Sequence, residues 1–488
     1  MAGAHQPQAD LLDGSHAILV VDLDGTLTPT DTLIESLLQM AKQHPGELWR
    51  LPISLLAGRA AFKHRVSQSG VLDVSLLPWN VELLDYLRLE HARGRRIVLA
   101  TAAHQRIAEA VFRHLGFFDE LLCTDAIVNL KGRNKLQAIR ERVGSNFIYV
   151  GDSAADLEVW RGAVGAVIVG ASAATTAAAR TLTTIEREFF RPMIGALDWL
   201  RLLRLHQWLK NILIFIPLLT AFSFLDPGKW LAAILAFLAF SIAASASYIL
   251  NDLWDLQSDR AHPRKKLRPL ASARIAIPQA VALSVALLGL AVWLASLVSM
   301  GFLGVLLVYL ALTTSYSWVL KNYVLLDVLM LATLYTLRII AGSWAIHVET
   351  SSWLLAFSMF IFLSLALVKR CAELVVHENM GQGATNGRDY RVGDLVVLWP
   401  LGIGAFLASV VVFGLFISAP DTTQRYAAPQ LLWLVAVALI YWLARLWIKT
   451  ARGEMHDDPL VYAIKDFGSR ATITVMLSTV LLARFLPL

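Results

Sequence analysis

Hydrophobic and polar residues follow two different rhythms along this chain. From about residue 210 onward, apolar runs alternate with short polar loops near 210–226, 230–250, 275–298, 301–319, 323–346, 352–369, 395–418, 430–448 and 470–487. Each run approaches the roughly 20 residues that a helix needs to cross a bilayer core. Before residue 200 the runs are short. "HAILVVDLDG", "RRIVLATAA" and "NFIYVGD" read as buried strands, and amphipathic stretches such as "HQRIAEAVFRHLG" lie between them. Strand and helix in alternation predict a parallel α/β sheet. The expected architecture is therefore multidomain. A Rossmann-like α/β domain covers 1–190, with a small helical cap at about 30–90. A linker and interfacial helix cover 191–209, and an all-α polytopic bundle of nine transmembrane helices covers 210–488.

Composition sharpens this picture. Only 16% of the 488 residues are charged, against about 25% in soluble domains, and the depletion is confined to the second part. A net charge of +6 would suit nucleic acid, but the basic residues flank apolar spans, so membrane topology explains them better. With the N-terminus inside, the expected inside segments carry 19 Lys and Arg, including Arg388, and the outside segments carry 3. The bias alternates at every crossing and places the soluble domain and all inner loops on the cytoplasmic face of a plasma-type membrane, with the C-terminus outside. The first apolar stretch is short and runs straight into acids, so no cleavable signal peptide is expected. Cys123 and Cys371 are too few for a disulfide framework.

Each strand of the soluble part ends in chemistry. Asp22 and Asp24 follow the first, Thr101 ends the second, and Asp152 with Asp156 follows the third. Ligands of parallel α/β sheets bind at these carboxyl ends. Lys135 opens the helix "NKLQAIRER", and Lys131 competes with it for the same role. Asp156 has an alternative as a simple helix cap. The set resembles the four motifs of the haloacid dehalogenase superfamily of phosphotransferases. That resemblance implies Asp22 as nucleophile, Asp24 as acid/base and Thr101 with Lys135 as phosphate holders. It also implies Asp22, Asp152 and Asp156 as Mg²⁺ ligands, with Asp24 beside them. Repulsion between a carboxylate nucleophile and a phosphate dianion calls for such a cation.

The membrane part has its own constellation. In "NDLWDLQSD", Asp252, Asp255 and Asp259 stand at i, i+3 and i+7, on one face of a helix, with Asn251 at its flank. Three like charges so close need a cation, and the alternative is a solvated acidic loop paired with its basic neighbours. The stretch resembles the NDxxDxxxD motif of the UbiA superfamily of intramembrane prenyltransferases. The usual second motif, DxxxD, is absent, and a single acid, Asp327, stands there. The continuation "RAHPRKKLRP", with "YSWVLK", "HQWLKN" and "RGEMHDDPLVYAIKD", is more similar to the branch typified by decaprenyl-phosphate phosphoribosyltransferase.

That resemblance, over residues 200 to 488, implies Mg²⁺ on Asn251, Asp252, Asp255, Asp259 and Asp327. Phosphate contacts are expected from Lys210, Lys265, Arg268, Tyr316, Lys321, Arg338, Lys369 and Arg370. Arg338 lies inside a span, where a charge marks a ligand path or bonds to carbonyls as a structural group. The span-end lysines also serve as topology signals.

The expected function is Mg²⁺-dependent transfer of 5-phosphoribose from phosphoribosyl diphosphate to a polyprenyl phosphate. The soluble domain would then hydrolyse a phosphate monoester, the 5-phosphate of that product. Prenyl transfer from a prenyl diphosphate to a small acceptor, with an independent phosphatase, is the alternative. A transporter with a regulatory phosphatase domain is disfavoured, because the charges cluster at one membrane face.

Overall fold

A computed structural model describes residues 17–124, 130–379, 389–455 and 458–486. Arg388, counted above as an inner basic residue, lies outside the described residues, as do His456 and Asp457 of the "RGEMHDD" stretch. The chain divides into two compact units. One comprises Met1–Leu202 together with Asp252–Val281, and the other comprises Leu203–Asn251 and Ala282–Leu488. The aspartate-rich stretch and the basic run after it thus belong to the first unit.

The first unit is built on a six-stranded, all-parallel sheet in the order β3-β2-β1-β4-β5-β6. The strands are β1 (Ile18–Val21), β2 (Ile97–His104), β3 (Glu120–Thr124), β4 (Phe147–Gly151), β5 (Gly165–Val169) and β6 (Thr184–Phe189). In β1, side-chain alternation sends Leu19 and Val21 into one core layer with Leu99 and Val150. Val20 goes to the opposite layer with Tyr149 and Trp160. β1 pairs with β2 on one side and β4 on the other, Val20 opposite both Val98 and Tyr149. The strand order reverses here, and in such sheets the crevice beyond the carboxyl ends is the ligand site.

Between β1 and β2 lie the helices Thr32–Gln43, Leu51–Leu56, Arg59–Ser69 and Val81–Ala92. The last was expected in the cap, but Leu83, Leu84 and Leu87 are buried in the sheet's core layer with Leu19 and Val21. Their spacing makes an apolar stripe that only the sheet can cover.

In the second unit, seven helices are long and apolar enough to cross a membrane: Pro227–Trp254, Ile277–Val298, Met300–Trp318, Leu326–Ala345, Ser352–Asn379, Val392–Ser418 and Pro429–Ala451. Two of these begin or end in the first unit. Large side chains such as Val285, Trp293, Leu297, Val396 and Val437 stay exposed, as suits a surface facing lipid tails.

Two of the nine expected spans differ. The first, placed at 210–226, is a bent pair, Ala196–Leu203 and Leu205–Thr220, meeting at 45°. Arg204 at the break has φ 51, the stretch Leu205–Phe215 is wound as a 3₁₀ helix, and Pro217 starts a short α-helix. The last, Phe467–Phe485, is helical for 19 residues but is not among the apolar helices that qualify. Two arginines and a row of Ser and Thr dilute it. The structure therefore holds seven candidate spans, or eight if the bent pair is one, among the described residues.

Close approach between elements of this unit depends on small residues. At Gly342, a Cβ would collide with the carbonyl of Ile214, with Pro217 also within 3.1 Å, whereas Gly304 has nothing within 4 Å. Overpacking costs about 1–3 kcal/mol. Gly342→Val is expected to lower the thermal midpoint of the detergent-solubilised protein, and Gly304→Val to leave it near wild type, as read by a thermal-shift assay.

Candidate active sites

The strand ends of the first unit bring the expected carboxylates together. Asp22 follows β1, and its Oδ1 accepts a hydrogen bond from the Leu23 N–H at 2.8 Å. Its Oδ2 lies 2.9 Å from Lys135 Nζ, so Lys135 is the lysine that meets the nucleophile candidate. Lys131 lines the same cavity. Asp152 follows the neighbouring β4, and Thr26 donates its hydroxyl to Asp152 Oδ1 at 3.4 Å. Asp24 accepts from the Thr32 N–H at 2.8 Å, which ties the acid to the first turn of Thr32–Gln43. Thr101 is fully buried, and its hydroxyl accepts from the Ala103 N–H at 3.0 Å.

Asp156 does cap its turn, because Ser153 and Asp156 form a reciprocal capping box. Its Oδ2 takes the N–H groups of Asp152 and Ser153 as well as the Ser153 hydroxyl. The cap and the cluster are one arrangement. Asp22, Asp152 and Asp156 each offer a carboxylate oxygen, and these oxygens lie within 4.8 Å of one another. Among the described residues this is the one such group of three. Three hard carboxylate oxygens gathered this closely are the donor type that Mg²⁺ prefers.

The electrostatics agree. Burial, reinforced by the charges of Asp156 and Asp22, pushes Asp152 up to about 7. Burial raises Asp22 as well, Lys135 opposes the rise, and Asp156 adds to it. Asp24 is pushed up to about 7 by burial first and Asp31 second. A carboxyl with that value holds or releases a proton near neutrality, as an acid/base group must.

Three contributors were not singled out from the sequence. Tyr149 accepts from Lys135 Nζ at 2.9 Å and donates to Asp156 Oδ1 at 3.1 Å, linking lysine and carboxylate. It sits inside "FIYVG", an apolar strand, where a tyrosine reads as core. Lys63, from the helix Arg59–Ser69, donates to the Ala102 carbonyl at 2.6 Å, and Arg191 donates to the Gly25 carbonyl at 2.6 Å. Both line the cavity of about 500 Å³ that contains Asp22, Asp24, Lys135 and Asp152. Gly25 has φ +79, and a Cβ there would overlap the Asp152 carboxylate, so glycine lets the loop pass this close.

The second aspartate group differs from the expected single helical face. The long helix ends at Trp254, and Asp255 stands just before a separate short helix, Leu256–Ala261. Asp252 and Asp259 are buried and share one cation: Arg268 Nη1 lies 3.1 Å from Asp252 Oδ1 and 2.5 Å from Asp259 Oδ2. In this arrangement two of the three carboxylates expected to hold a metal are bridged by a guanidinium. Carboxylates such as these are the donor type that Mg²⁺ prefers, so Asp252, Asp255 and Asp259 would be the residues to hold it there. Lys265 is exposed in the turn before it.

The second unit holds the remaining candidates. Asp327, expected as a metal ligand, is fully buried and accepts from Arg370 Nε at 2.6 Å, the Val328 N–H at 2.7 Å and the Tyr390 hydroxyl. Arg370 is the buried cation that matches its charge. The Nη2 of Arg370 is buried and finds no hydrogen-bond partner among the described residues. Arg338 donates Nε to Asn211 Oδ1 at 2.8 Å and Nη1 to the Leu334 carbonyl. The structural alternative for this intramembrane charge therefore has the geometry on its side. Arg338 and Asp327 make separate contacts.

Lys210 and Lys369 converge on Asp458 Oδ2, at 3.1 and 3.2 Å. Lys210 also lies 5.8 Å from the Tyr335 ring centre and Arg338 5.4 Å from it. Asp458 lies in the quoted stretch "RGEMHDDPLVYAIKD", but its pairing with two distant lysines has no local signal. Tyr316 is half-buried and Lys321 lies in a short 3₁₀ turn after Met300–Trp318.

The raised carboxyls of the first unit set a pH dependence. A carboxyl held above its unfolded value stabilises the fold fully below about pH 4 and loses that contribution as pH rises through about 7. Mg²⁺ offsets the repulsion once the acids are ionised. Mg²⁺ is therefore expected to raise the unfolding midpoint of this unit more at pH 8 than at pH 5.5. Asp152→Asn should raise the metal-free midpoint at pH 8 and remove most of the Mg²⁺ effect. Scanning calorimetry at both pH values reads both outcomes.

Both parts of the chain match known families. A family model for the UbiA prenyltransferase family matches residues 212–462, and one for haloacid dehalogenase-like hydrolases matches residues 54–161. The protein y4nM of Sinorhizobium fredii is 38% identical over 457 residues, 92% of this chain and 87% of its own length. Decaprenyl-phosphate phosphoribosyltransferase of Corynebacterium glutamicum is 31% identical over 228 residues, 46% of this chain and 69% of that protein. A solved UbiA homolog from Archaeoglobus fulgidus, bound to GPP and Mg²⁺, aligns at 16% identity and TM-score 0.45, covering 58% of this chain and 99% of that one. The chain belongs to the UbiA prenyltransferase family, as an integral membrane enzyme that also carries a haloacid dehalogenase-like phosphatase domain.

Proposed function

We propose that this enzyme transfers 5-phosphoribose from phosphoribosyl diphosphate to a polyprenyl phosphate and then removes the 5-phosphate. The observation that carries the transfer is the similarity to decaprenyl-phosphate phosphoribosyltransferase over the membrane part. In this reading a phosphate oxygen of the lipid attacks the anomeric carbon, the bond from that carbon to the diphosphate oxygen breaks, and diphosphate leaves. Asp252, Asp255 and Asp259 would hold Mg²⁺ with the leaving diphosphate, which requires Arg268 to give up its bridging position. Mg²⁺ there would neutralise charge on the departing group. Lys210, Lys369 and the unpartnered edge of Arg370 are suited to phosphate. The positive-charge bias supports a cytoplasmic location for both reactions.

In the phosphatase step Asp22 attacks phosphorus, the ester P–O bond breaks, and Asp24 gives its proton to the leaving oxygen. Water then opens the aspartyl phosphate while Asp24 takes a proton back. Lys135, 2.9 Å from Asp22, favours the ionised nucleophile and opposes the rise that burial imposes. Mg²⁺ on Asp22, Asp152 and Asp156 would offset the repulsion between carboxylate and phosphate. Joining both steps in one chain raises the effective concentration of the intermediate.

The family description itself favours a second reading, prenyl transfer from a prenyl diphosphate. Purified protein with Mg²⁺, polyprenyl phosphate and either donor, followed by mass spectrometry of the lipids, separates the two. Wild type is expected to consume phosphoribosyl diphosphate and yield lipid-linked ribose without the 5-phosphate. Asp22→Asn should accumulate the phosphorylated lipid, and Asp252→Ala should lose transfer by about 100-fold or more. Equal accumulation in wild type and Asp22→Asn would sink the coupled reading, and consumption of the prenyl donor alone would sink the phosphoribosyl one.

A further inference from the structure

The cavity that holds Asp22, Lys135 and Asp152 is not closed by the phosphatase fold alone. One side is formed by Leu270, Ala273, Ile275, Ala276, Ile277 and Pro278. These residues come from the segment that joins the aspartate stretch to the next membrane helix, and every one of them is apolar. Ile277 and Pro278 are the first two residues of Ile277–Val298, a candidate span with mean hydropathy 2.4 in its apolar window.

The wall is held firmly. Arg260 makes a two-pronged pair with Glu35, at 3.1 and 2.6 Å, and its Nε donates to the Ala271 carbonyl at 2.9 Å. Both charges are out of water, Glu35 at 0% and Arg260 at 9% exposure. Glu35 also accepts the Thr30 hydroxyl at 2.7 Å, and Thr30 lines the cavity. Farther along the same helix, Lys42 donates to the Trp254 carbonyl at 3.2 Å. Arg274 pairs with Asp198 at 2.9 Å. A buried pair of this kind fixes geometry, because separating the partners leaves a charge unpaired.

The cavity thus joins a phosphate-handling cluster to an apolar stretch that runs into the start of a candidate membrane helix. A small water-soluble phosphate has no apolar part with which to cover Leu270 and Ile275, so this surface would add nothing to its binding. A phosphate attached to a membrane lipid meets both surfaces on their own terms. We propose that the segment Leu270–Pro278 is the specificity wall of the phosphatase and selects phosphate monoesters carried on an apolar chain over water-soluble ones. Glu35 and Arg260 are positioning residues that set the wall against the catalytic loop. The inference rests on the phosphatase reading of Asp22 and does not need the phosphoribosyl reading of the membrane part.

The test uses the full-length protein in detergent with two probes, hexadecyl phosphate in mixed micelles and ribose 5-phosphate, with phosphate release as the readout. The ratio of kcat/KM for the long-chain probe to that for ribose 5-phosphate is expected to exceed about tenfold, the scale of discrimination by a few apolar contacts. Ala276→Asn and Pro278→Ser, both at exposed positions of the wall, should each lower that ratio severalfold, mainly through KM for the long-chain probe. A wild-type preference for ribose 5-phosphate, or variants that leave the ratio where it was, overturns the wall's role while the phosphatase stands. Release of phosphate from neither probe, with wild type indistinguishable from Asp22→Asn, overturns the phosphatase reading itself and the inference with it.

Discussion

Negative charge taken out of water has to be matched by positive charge within a few ångströms, and this requirement shapes both units. Asp22 is matched by Lys135, Asp252 and Asp259 by Arg268, Asp327 by Arg370, and Asp458 by Lys210 and Lys369. Glu35 and Arg260 follow the same rule at 225 residues' separation. What distinguishes the catalytic cluster is that its account is left unbalanced. Three carboxylates gather where one lysine pairs directly with Asp22, and both Asp22 and Asp152 are held above their ordinary range. That surplus is what a divalent cation and a phosphate would together complete.

The protonation behaviour follows from where each acid sits in the sheet. Asp22 and Asp152 leave adjacent parallel strands at the reversal of strand order, so the backbone delivers them to one crevice without any choice of rotamer. Asp24 lies two residues on, turned toward the amide of Thr32, and is therefore close to the nucleophile without sharing its lysine. Two carboxyls in one loop thereby acquire different surroundings, which is how a single motif supplies both an attacking group and a proton carrier.

Much of this was legible in the residues themselves. Strand-end acids are visible because an apolar run stops at a carboxylate, and spans are visible because hydrocarbon admits few alternatives. The ends of the bundle were less legible. Within 210–226, where hydropathy alone looks continuous, the chain runs as a 3₁₀ helix to Phe215 and then as a short α-helix with Pro217 in its first turn. The helix break at Asp255 has neither glycine nor proline to announce it, so a single helical face was the natural expectation. Partners were the least legible. Nothing near Asp327 in sequence points to Arg370, and nothing near Glu35 points to Arg260, because ion pairs between distant segments leave no periodicity behind.

The division of the chain has a consequence for how such a protein is taken apart or inherited. Thirty residues, Asp252–Val281, are interposed between membrane helices in sequence yet fold with the α/β unit. The two activities are therefore interleaved along the chain, and no single cut separates them. A fragment ending at Leu202 would lack one side of its own substrate cavity and leave Glu35 without Arg260. A fragment beginning at Leu203 would carry that side with nothing to rest on. Changes on either side of the boundary must stay compatible with the other, so the two parts evolve as one inheritance unit even though each belongs to a family of its own.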